Sequence, residues 1–412
     1  MRTFYHELGE FESRFVFVIA TIALMFSAAI DDLLELLEIP GPPGEEAVVA
    51  AHLRHRLVRM GVPDTAITVD HAQWQSEYGG STGNLIVHLA GTRGGTTRMF
   101  SAHMDTVPGA VGAIPRVDGS RIVNDAPGKA LGGDNRTGCA LLLHVARTLL
   151  ARKGDHEPTT LAFFIQEEVG LVGARGLDAS KLHAPAYCLN FDGYEAGVVI
   201  TSVTGTERFT IDIEGVAAHS GMNPNEGISA GIIAARALAQ LAGDGWHGAI
   251  TKPDGRGSAN MGILHGGTGS NVVMPELHIL AEARSHDRAF RKRIIEQWQQ
   301  SFAQHAAAAG NTLGNVGQVK FGPAPTYEAY ALTEDAPVVQ AVRAAGERIG
   351  LKITCISDDG GNDCNWIVAH GIPAVTIGCG QRHVHMPSEY VDLEDFAKAC
   401  ELAERLALGE CT

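Results

Sequence analysis

A chain of 412 residues, 45% apolar and 19% charged, has the make-up of a globular protein of two or three domains. Its formal charge of −15 argues against nucleic acid and against an anionic membrane surface as partners. Seven scattered cysteines with no CxxC pair argue against a disulfide scaffold and fit reduced thiols, most of them small core residues.

In chain order, the first feature is an apolar run over residues 15–30 (FVFVIATIALMFSAAI). It is short for a bilayer span, which needs about 20 residues. The leader before it carries three Glu against two Arg, unlike a secretory signal. We read residues 1–24 as an extension or start-site artefact and begin the compact domain near Met25. A cleaved signal or membrane anchor is the alternative, and it would move the protein from the cytoplasm to an exported or anchored location. Two amphipathic helices follow, broken by Pro40-Gly41-Pro42-Pro43-Gly44. Strands are expected at 84–90, 97–103, 160–166 and 186–191, the last two of the fully buried type. A helix over 135–150 is apolar on most faces and should be buried. This alternation predicts an α/β fold, a mostly parallel sheet sandwiched by helices.

The pattern changes near Thr206. Alternating strands at 208–214, 261–264 and 277–283, with helices at 228–241 and 287–308, predict a smaller inserted α+β domain over residues 207–315. The α/β style resumes afterwards, with helices at 336–349, 363–370 and 393–407 and strands at 352–356 and 373–377. The catalytic domain is thus expected to comprise 25–206 and 316–412, which lets the C-terminal segment return to the site built by the first half.

The chemistry-bearing residues sit at the ends of these strands. His103 and Asp105 in SAHMDTV are two apart, so one strand end can present both to one pocket. Asp134 follows Gly132-Gly133 and precedes a helix; it reads either as a helix cap or as a carboxylate bridging two ions. Glu167 and Glu168 end the apolar strand LAFFIQ. Adjacent buried carboxylates need a proton or a partner, and a metal takes one while the other can receive a proton from metal-bound water. Asp192 closes the strand YCLNFD, and His385 in HVHMPSEY has a rival in His383. Each alone has a plain reading as a cap or a solvated side chain. Together they imply a metal site of mixed His and carboxylate donors, which suits Zn²⁺ and also Mn²⁺ or Co²⁺.

The order and spacing of IPGPPGEE, SAHMDTVPG, LGGDNRTGCA, IQEEVGLVGARGL, FDGYEAG, GVAAHSGMNPNEGISA, GGTGSNVVMPE, AEARSHD and HVHMPSEY resemble the zinc-dependent M20 metallopeptidases, and within them the peptidase T-like tripeptide aminopeptidases. The resemblance covers Met25 to the C-terminus. It implies that His103 and Asp192 hold one Zn²⁺, Glu168 and His385 the other, and Asp134 bridges. It implies that Glu167 is general base and then acid, that Asp105 orients His103, and that the Asp134–Asn135 peptide bond is cis. Family members often carry a second Asp where this chain has Asn135. His385 is preferred to His383 because it matches the family's His-x-x-x-Glu pattern with Glu389.

The same resemblance implies a lid and dimerisation role for the inserted domain. His219 would reach the active site of a second copy and stabilise the oxyanion, and Asn271 and Arg284 would grip the peptide backbone and terminal carboxylate. Asp358, Asp359 and Asp363 in the loop SDDGGNDCNW are candidates for supporting the ligands or binding the substrate amine, with nothing in the sequence to choose among them. The expected activity is release of N-terminal residues from short peptides by a homodimer, with no nucleic-acid or stable membrane partner. An N-acyl-amino-acid amidohydrolase or carboxypeptidase of the same family is the nearest alternative, and a non-catalytic dimeric binding protein a distant one.

Overall fold

The computed structural model describes residues 26–409, which form two compact units. The extension expected over residues 1–24 lies outside the described residues. The end of the apolar run enters the helix Ser27–Glu38, which buries Ala29, Ile30, Leu33, Leu36 and Leu37. Among the described residues, no helix is long and apolar enough to cross a membrane.

The first unit comprises the described residues up to Thr201, with Leu332–Ser357 and those from Asn362 onward. Its main sheet runs in the order Ile67–Val69, Leu85–Leu89, Thr159–Phe164, Arg98–His103, Tyr187–Phe191, Ala374–Ile377, Val198–Val203. The four central strands, from Thr159–Phe164 to Ala374–Ile377, are mutually parallel, and the flanks are antiparallel. The parallel strands therefore all end on one side. His103 lies in register with Phe164, and Phe191 with Ile377, so the residues just beyond them start from one sheet edge.

One face of this sheet carries Phe100, Ala102, Leu189 and Phe191. The helix Gly133–Ala151 covers it with Leu141, Leu142, Leu143 and Val145, all fully buried. At roughly 1.5–3 kcal/mol per large apolar side chain, this layer far outweighs the low helix propensity of the glycine-rich entry. The opposite face is more polar. Ser101 Oγ donates to Asn190 Oδ1 at 2.8 Å, and Asn190 Nδ2 donates to Thr376 Oγ1 at 3.2 Å, so a buried hydrogen-bonded row lies below the sheet's carboxyl edge.

A small four-stranded sheet joins Pro115–Asp118 and Arg121–Asn124 to Gln381–Arg382 and Tyr390–Asp392. The sequence reading missed all four strands. This sheet anchors both ends of the 383–389 loop, which returns the C-terminal segment to the first half of the chain.

The second unit comprises residues 202–331 and 358–361, wider than the expected 207–315. Its five-stranded antiparallel sheet runs Gly248–Lys252, Gly255–Gly266, Glu276–Ser285, Gly205–Glu214, Gln318–Tyr327, with helices Ala230–Gly243 and Arg288–Ala307 packed on it through Ile233, Ala237, Ile294, Trp298 and Phe302. The displaced border has a physical cause. Gln318–Tyr327 was given no element because its two prolines interrupt a strand pattern, but it is an edge strand, and a register shift between Pro323 and Thr326 absorbs the missing donors. The six cysteines among the described residues form no disulfide, and five of them are buried.

Candidate metal centre

The carboxyl edge of the parallel strands assembles one cluster. His103 ends its strand, and its Nδ1 lies 3.1 Å from the Asp105 carbonyl oxygen and 3.3 Å from Asp105 Oδ1. The Asp105 carboxylate also accepts the backbone N–H of Glu167 at 2.9 Å and of Glu168 at 3.1 Å. One side chain thus orients the first histidine and fixes the turn that carries both glutamates.

Asp134 is presented by a turn rather than by a regular helix. Gly132 has φ +80°, a left-handed backbone suited to glycine. A Cβ at Gly133 would lie 2.9 Å from Val391 Cγ2. Asp134 and Asn135 are non-helical, and the bond between them is cis, as the resemblance implies. Glu389 grips the same turn: its Oε2 accepts from Leu131 N at 2.8 Å and Gly132 N at 2.9 Å, and its Oε1 from Asp134 N at 3.1 Å.

The two oxygens of Asp134 face different partners. Oδ1 lies 3.0 Å from His103 Nε2, which is itself 3.8 Å from Asp192 Oδ2. Oδ2 lies 3.1 Å from His385 Nε2, which is 3.0 Å from Glu168 Oε1. Ligand atoms of His103, Asp134 and Glu168 lie within 4.8 Å of one another. His383 takes no part in this cluster: its ring packs edge-on against Tyr390, with centroids 5.6 Å apart. His385 is about half exposed, whereas Glu168 and Asp134 are 8% and 14% exposed, so the cluster is open from the His385 side.

Electrostatics show what such a donor set lacks. Burial drives the Glu167 carboxyl well above its usual range, helped by Asp363, Glu168 and Asp192 and opposed by His103. Burial, then the Asp134 charge, does the same to Asp192 and raises Glu168. The hydrogen bonds it donates to Asp134 and Glu168 push His385 up to about 10. Burial opposes protonation of His103, but Asp105, Asp134 and Asp192 outweigh it and hold the ring well above its ordinary value. Burial would raise Asp134 too, yet the two histidine hydrogen bonds bring it below the usual carboxylate range. Protons on crowded carboxylates and imidazoles are thus the protein's own answer to excess negative charge. Divalent cations between each imidazole and its carboxylates would replace them, and the mixed N and O donors fit that role.

The chain matches the family described as Peptidase family M20/M25/M40 over residues 99–409. It belongs to that family. It is 29% identical over 374 residues to the uncharacterized protein YqjE of Bacillus subtilis, covering 90% of this chain and 95% of the relative. The crystal structure of aminopeptidase PepT from Bacillus cereus superposes with a TM-score of 0.78 at 28% identity, over 92% of this chain and 97% of that one. One chain of the p-aminobenzoyl-glutamate hydrolase of Escherichia coli is 28% identical over 322 residues, 71% of this chain and 70% of the relative. Chemically, then, this M20 chain is a peptidase-family hydrolase with a candidate metal site.

The remaining sequence candidates lie in the second unit. His219 is exposed, and its Nδ1 accepts the N–H of Gly221 at 3.2 Å and of Met222 at 3.1 Å. Those two donors place the ring's proton on Nε2, which makes that nitrogen a hydrogen-bond donor. Asn271 is exposed, and its carbonyl receives the Ser220 N–H at 2.9 Å. Arg284 is half-buried and held by Glu282, with Nε 2.8 Å from Oε1. Of the aspartates left without a role, Asp358 and Asp359 belong to the second unit and Asp363 to the first. Asp363 is fully buried, and neither of its carboxylate oxygens has a hydrogen-bond partner.

Sequence reasoning missed four groups of the M20 centre. Glu389 entered it only as a pattern marker. Glu46 accepts the backbone N–H of Gln166 at 3.0 Å, just before the two glutamates. Asn135 and Gln381 form a buried amide pair beneath Asp134. Glu389 was marked by its spacing from His385 and Asn135 by its departure from the family's second Asp, whereas Gln381 had no sequence signal and Glu46 only its place in IPGPPGEE.

Proposed function

We propose that this protein is a co-catalytic two-zinc aminopeptidase that releases N-terminal residues from short peptides. The observation that carries it is the division of Asp134, with Oδ1 toward His103 and Asp192 and Oδ2 toward His385 and Glu168. A carboxylate placed between two imidazole–carboxylate pairs is built to bridge. His103, Asp134 and Asp192 would hold one ion, and His385, Asp134 and Glu168 the other. Zn²⁺ is our assignment, and Mn²⁺ or Co²⁺ would suit the same donors. When bound, such ions polarise a carbonyl and lower the pKa of water.

The chain's own groups then divide the work. Asp105 holds His103 and the Glu167–Glu168 turn in place. Glu167 is the proton acceptor: burial raises its affinity for a proton, it would stay ionised beside bound cations, and it can then take a proton from water and return it to the leaving amine. In the homodimer, His219 of a second copy would offer Nε2–H as an oxyanion donor, worth several kcal/mol at such sites. Asn271 and Arg284 would hold the peptide backbone and its terminal carboxylate, with Arg284 exchanging Glu282 for substrate.

The likeness to the Bacillus cereus aminopeptidase supports the aminopeptidase reading. The likeness to the p-aminobenzoyl-glutamate hydrolase favours the second one, an N-acyl-amino-acid amidohydrolase or carboxypeptidase. Metal-replete protein assayed with Ala-Ala-Ala, N-acetylated Ala-Ala-Ala and N-acyl amino acids separates them. Cleavage that requires the free amine supports the first reading, and preference for the blocked substrates overturns it.

Our reading includes a homodimer through the second unit. In Gly255–Gly266 only residues 255–259 pair with Gly248–Lys252, so among the described residues 260–266 have an open edge, with Ile263 and Leu264 exposed. A cytoplasmic location is supported by cysteines that form no disulfide.

A further inference from the structure

We propose that the buried amides of Gln381 and Asn135 are positioning residues that set the distance between the Asp134 turn and the Asp192 loop, and through it the affinity for the ion held by His103 and Asp192. This rests on the two-ion reading above.

The side-chain orientations are decided by main-chain groups whose roles are unambiguous. Gly193 N–H, next to Asp192, donates to Gln381 Oε1 at 2.8 Å. That leaves Gln381 Nε2 facing acceptors, and it lies 3.1 Å from Gly133 O, 2.9 Å from Asn135 Oδ1 and 2.6 Å from Thr137 Oγ1. One amide therefore spans from the residue after Asp192 to the residues on either side of Asp134. Asn135 makes a second span. Its Nδ2 donates to Phe191 O at 2.8 Å, just before Asp192, and its Oδ1 accepts Gly138 N–H at 2.9 Å. Both side chains are buried, with Asn135 at 0% and Gln381 at 2% exposure. Four residues on from Gln381, His385 meets the other oxygen of Asp134.

This arrangement needs an amide at both positions. A carboxylate at 135 would point an oxygen at Phe191 O, and one at 381 would point an oxygen at Gly133 O. A buried acceptor facing an acceptor loses its bond and adds repulsion. Asn135 and Gln381 form a neutral brace within a cluster already crowded with carboxylates. The groups that orient ligands typically change metal affinity by 10–100-fold when altered.

The test is Gln381→Glu in the full chain, stripped of metal and titrated with Zn²⁺ and with Co²⁺. The parent should take up two ions. The variant should bind one with parental affinity and the other at least about tenfold more weakly. The visible spectrum of the cobalt form should change, and kcat should fall while KM for a tripeptide stays within about twofold. Melting of the metal-free variant reports whether the fold survives. If it does not fold, Asn135→Asp replaces it and must give the same selective loss. Unchanged binding of both ions, or equal weakening of both, in a folded variant would overturn the inference. A parent protein that takes up a single ion would instead overturn the two-ion reading itself, and the brace with it.

Discussion

Glu389 and Asp134 lie 255 positions apart, yet the Asp134 N–H donates to Glu389 Oε1 at 3.1 Å. The other Glu389 oxygen takes the N–H groups of Leu131 and Gly132. Only a group that accepts at both oxygens satisfies all three donors. In Glu389→Gln an NH₂ must face a backbone N–H, which leaves a buried donor unsatisfied at about 1–3 kcal/mol. We expect metal affinity to fall about 10–100-fold in this variant, with turnover at saturating metal largely restored. Competitive chelator titration checks the first part, and kcat measured against metal concentration the second.

Glu167→Gln separates ion binding from proton transfer. Glu167 does not share the imidazole contacts of Glu168, whose Oε1 lies 3.0 Å from His385 Nε2. The amide cannot accept the proton that catalysis requires. Turnover should drop about 10²–10⁴-fold, the usual worth of a general base, while metal content stays at the parental level. Elemental analysis of the purified variant, read beside kcat, decides it. Loss of metal together with activity would assign Glu167 to the ligand set instead.

The separate treatment of these carboxylates shows what could be read from the chain. His103, Asp105, Asp134, Glu167, Glu168 and Asp192 all carry a local signature, an apolar strand or a Gly-Gly turn that ends at the residue in question. Strand-end logic was enough to place them at one edge. Gln381 carries no such mark. Its significance lies in a hydrogen bond to Asn135 across 246 positions, which no local pattern encodes. Asp363 was a candidate from its loop, but that it is buried with both oxygens unpartnered, like the part Glu46 plays, is legible only in the fold. The small sheet around Tyr390–Asp392 was missed because strands of two to four residues are too short to show alternation. Gln318–Tyr327 was missed because its two prolines interrupt the pattern of a strand.

Metal uptake should expel protons. In the metal-free protein, His385 is raised to about 10 by its hydrogen bonds to Asp134 and Glu168, and His103 is held well above its ordinary range, so both imidazoles bind a proton more tightly than a free ring does. A cation needs the neutral ring, and binding must displace a proton from each. Affinity should therefore rise as pH rises from about 6 to 9, because the competing proton becomes scarcer. Calorimetric titration with Zn²⁺ in buffers of different ionisation enthalpy should show net proton release near neutrality. A buffer-independent heat would show that the imidazoles are already neutral.

Glu46 gives a stability prediction separate from the metal ligands. Its carboxyl is fully buried; Oε1 accepts from Gly44 and Gln166, and Oε2 has no hydrogen-bond partner. Burial, then the Asp105 charge, raises it from the usual 4.5 to about 7, against the pull of those backbone donors. A carboxyl with a folded pKa above its unfolded one holds more protons in the folded state between the two values. Stability then falls as pH rises through that window and is regained on acidification toward 4.5. The effect is limited to a few kcal/mol, at about 1.4 kcal/mol per pKa unit. Glu46→Gln keeps the shape and removes the titration. Its Nε2 can occupy the position of the unpartnered Oε2, and Oε1 can keep both backbone donors. Denaturant melts of the metal-free proteins at pH 5 and pH 8 should therefore show the parent losing stability over that interval by more than the variant does. The variant should be the more stable of the two at pH 8. Parallel pH profiles would mean that Glu46 is ionised in the folded protein despite its burial, and that its charge is compensated by a neighbour such as Arg136, whose own buried Nη1 lacks a partner.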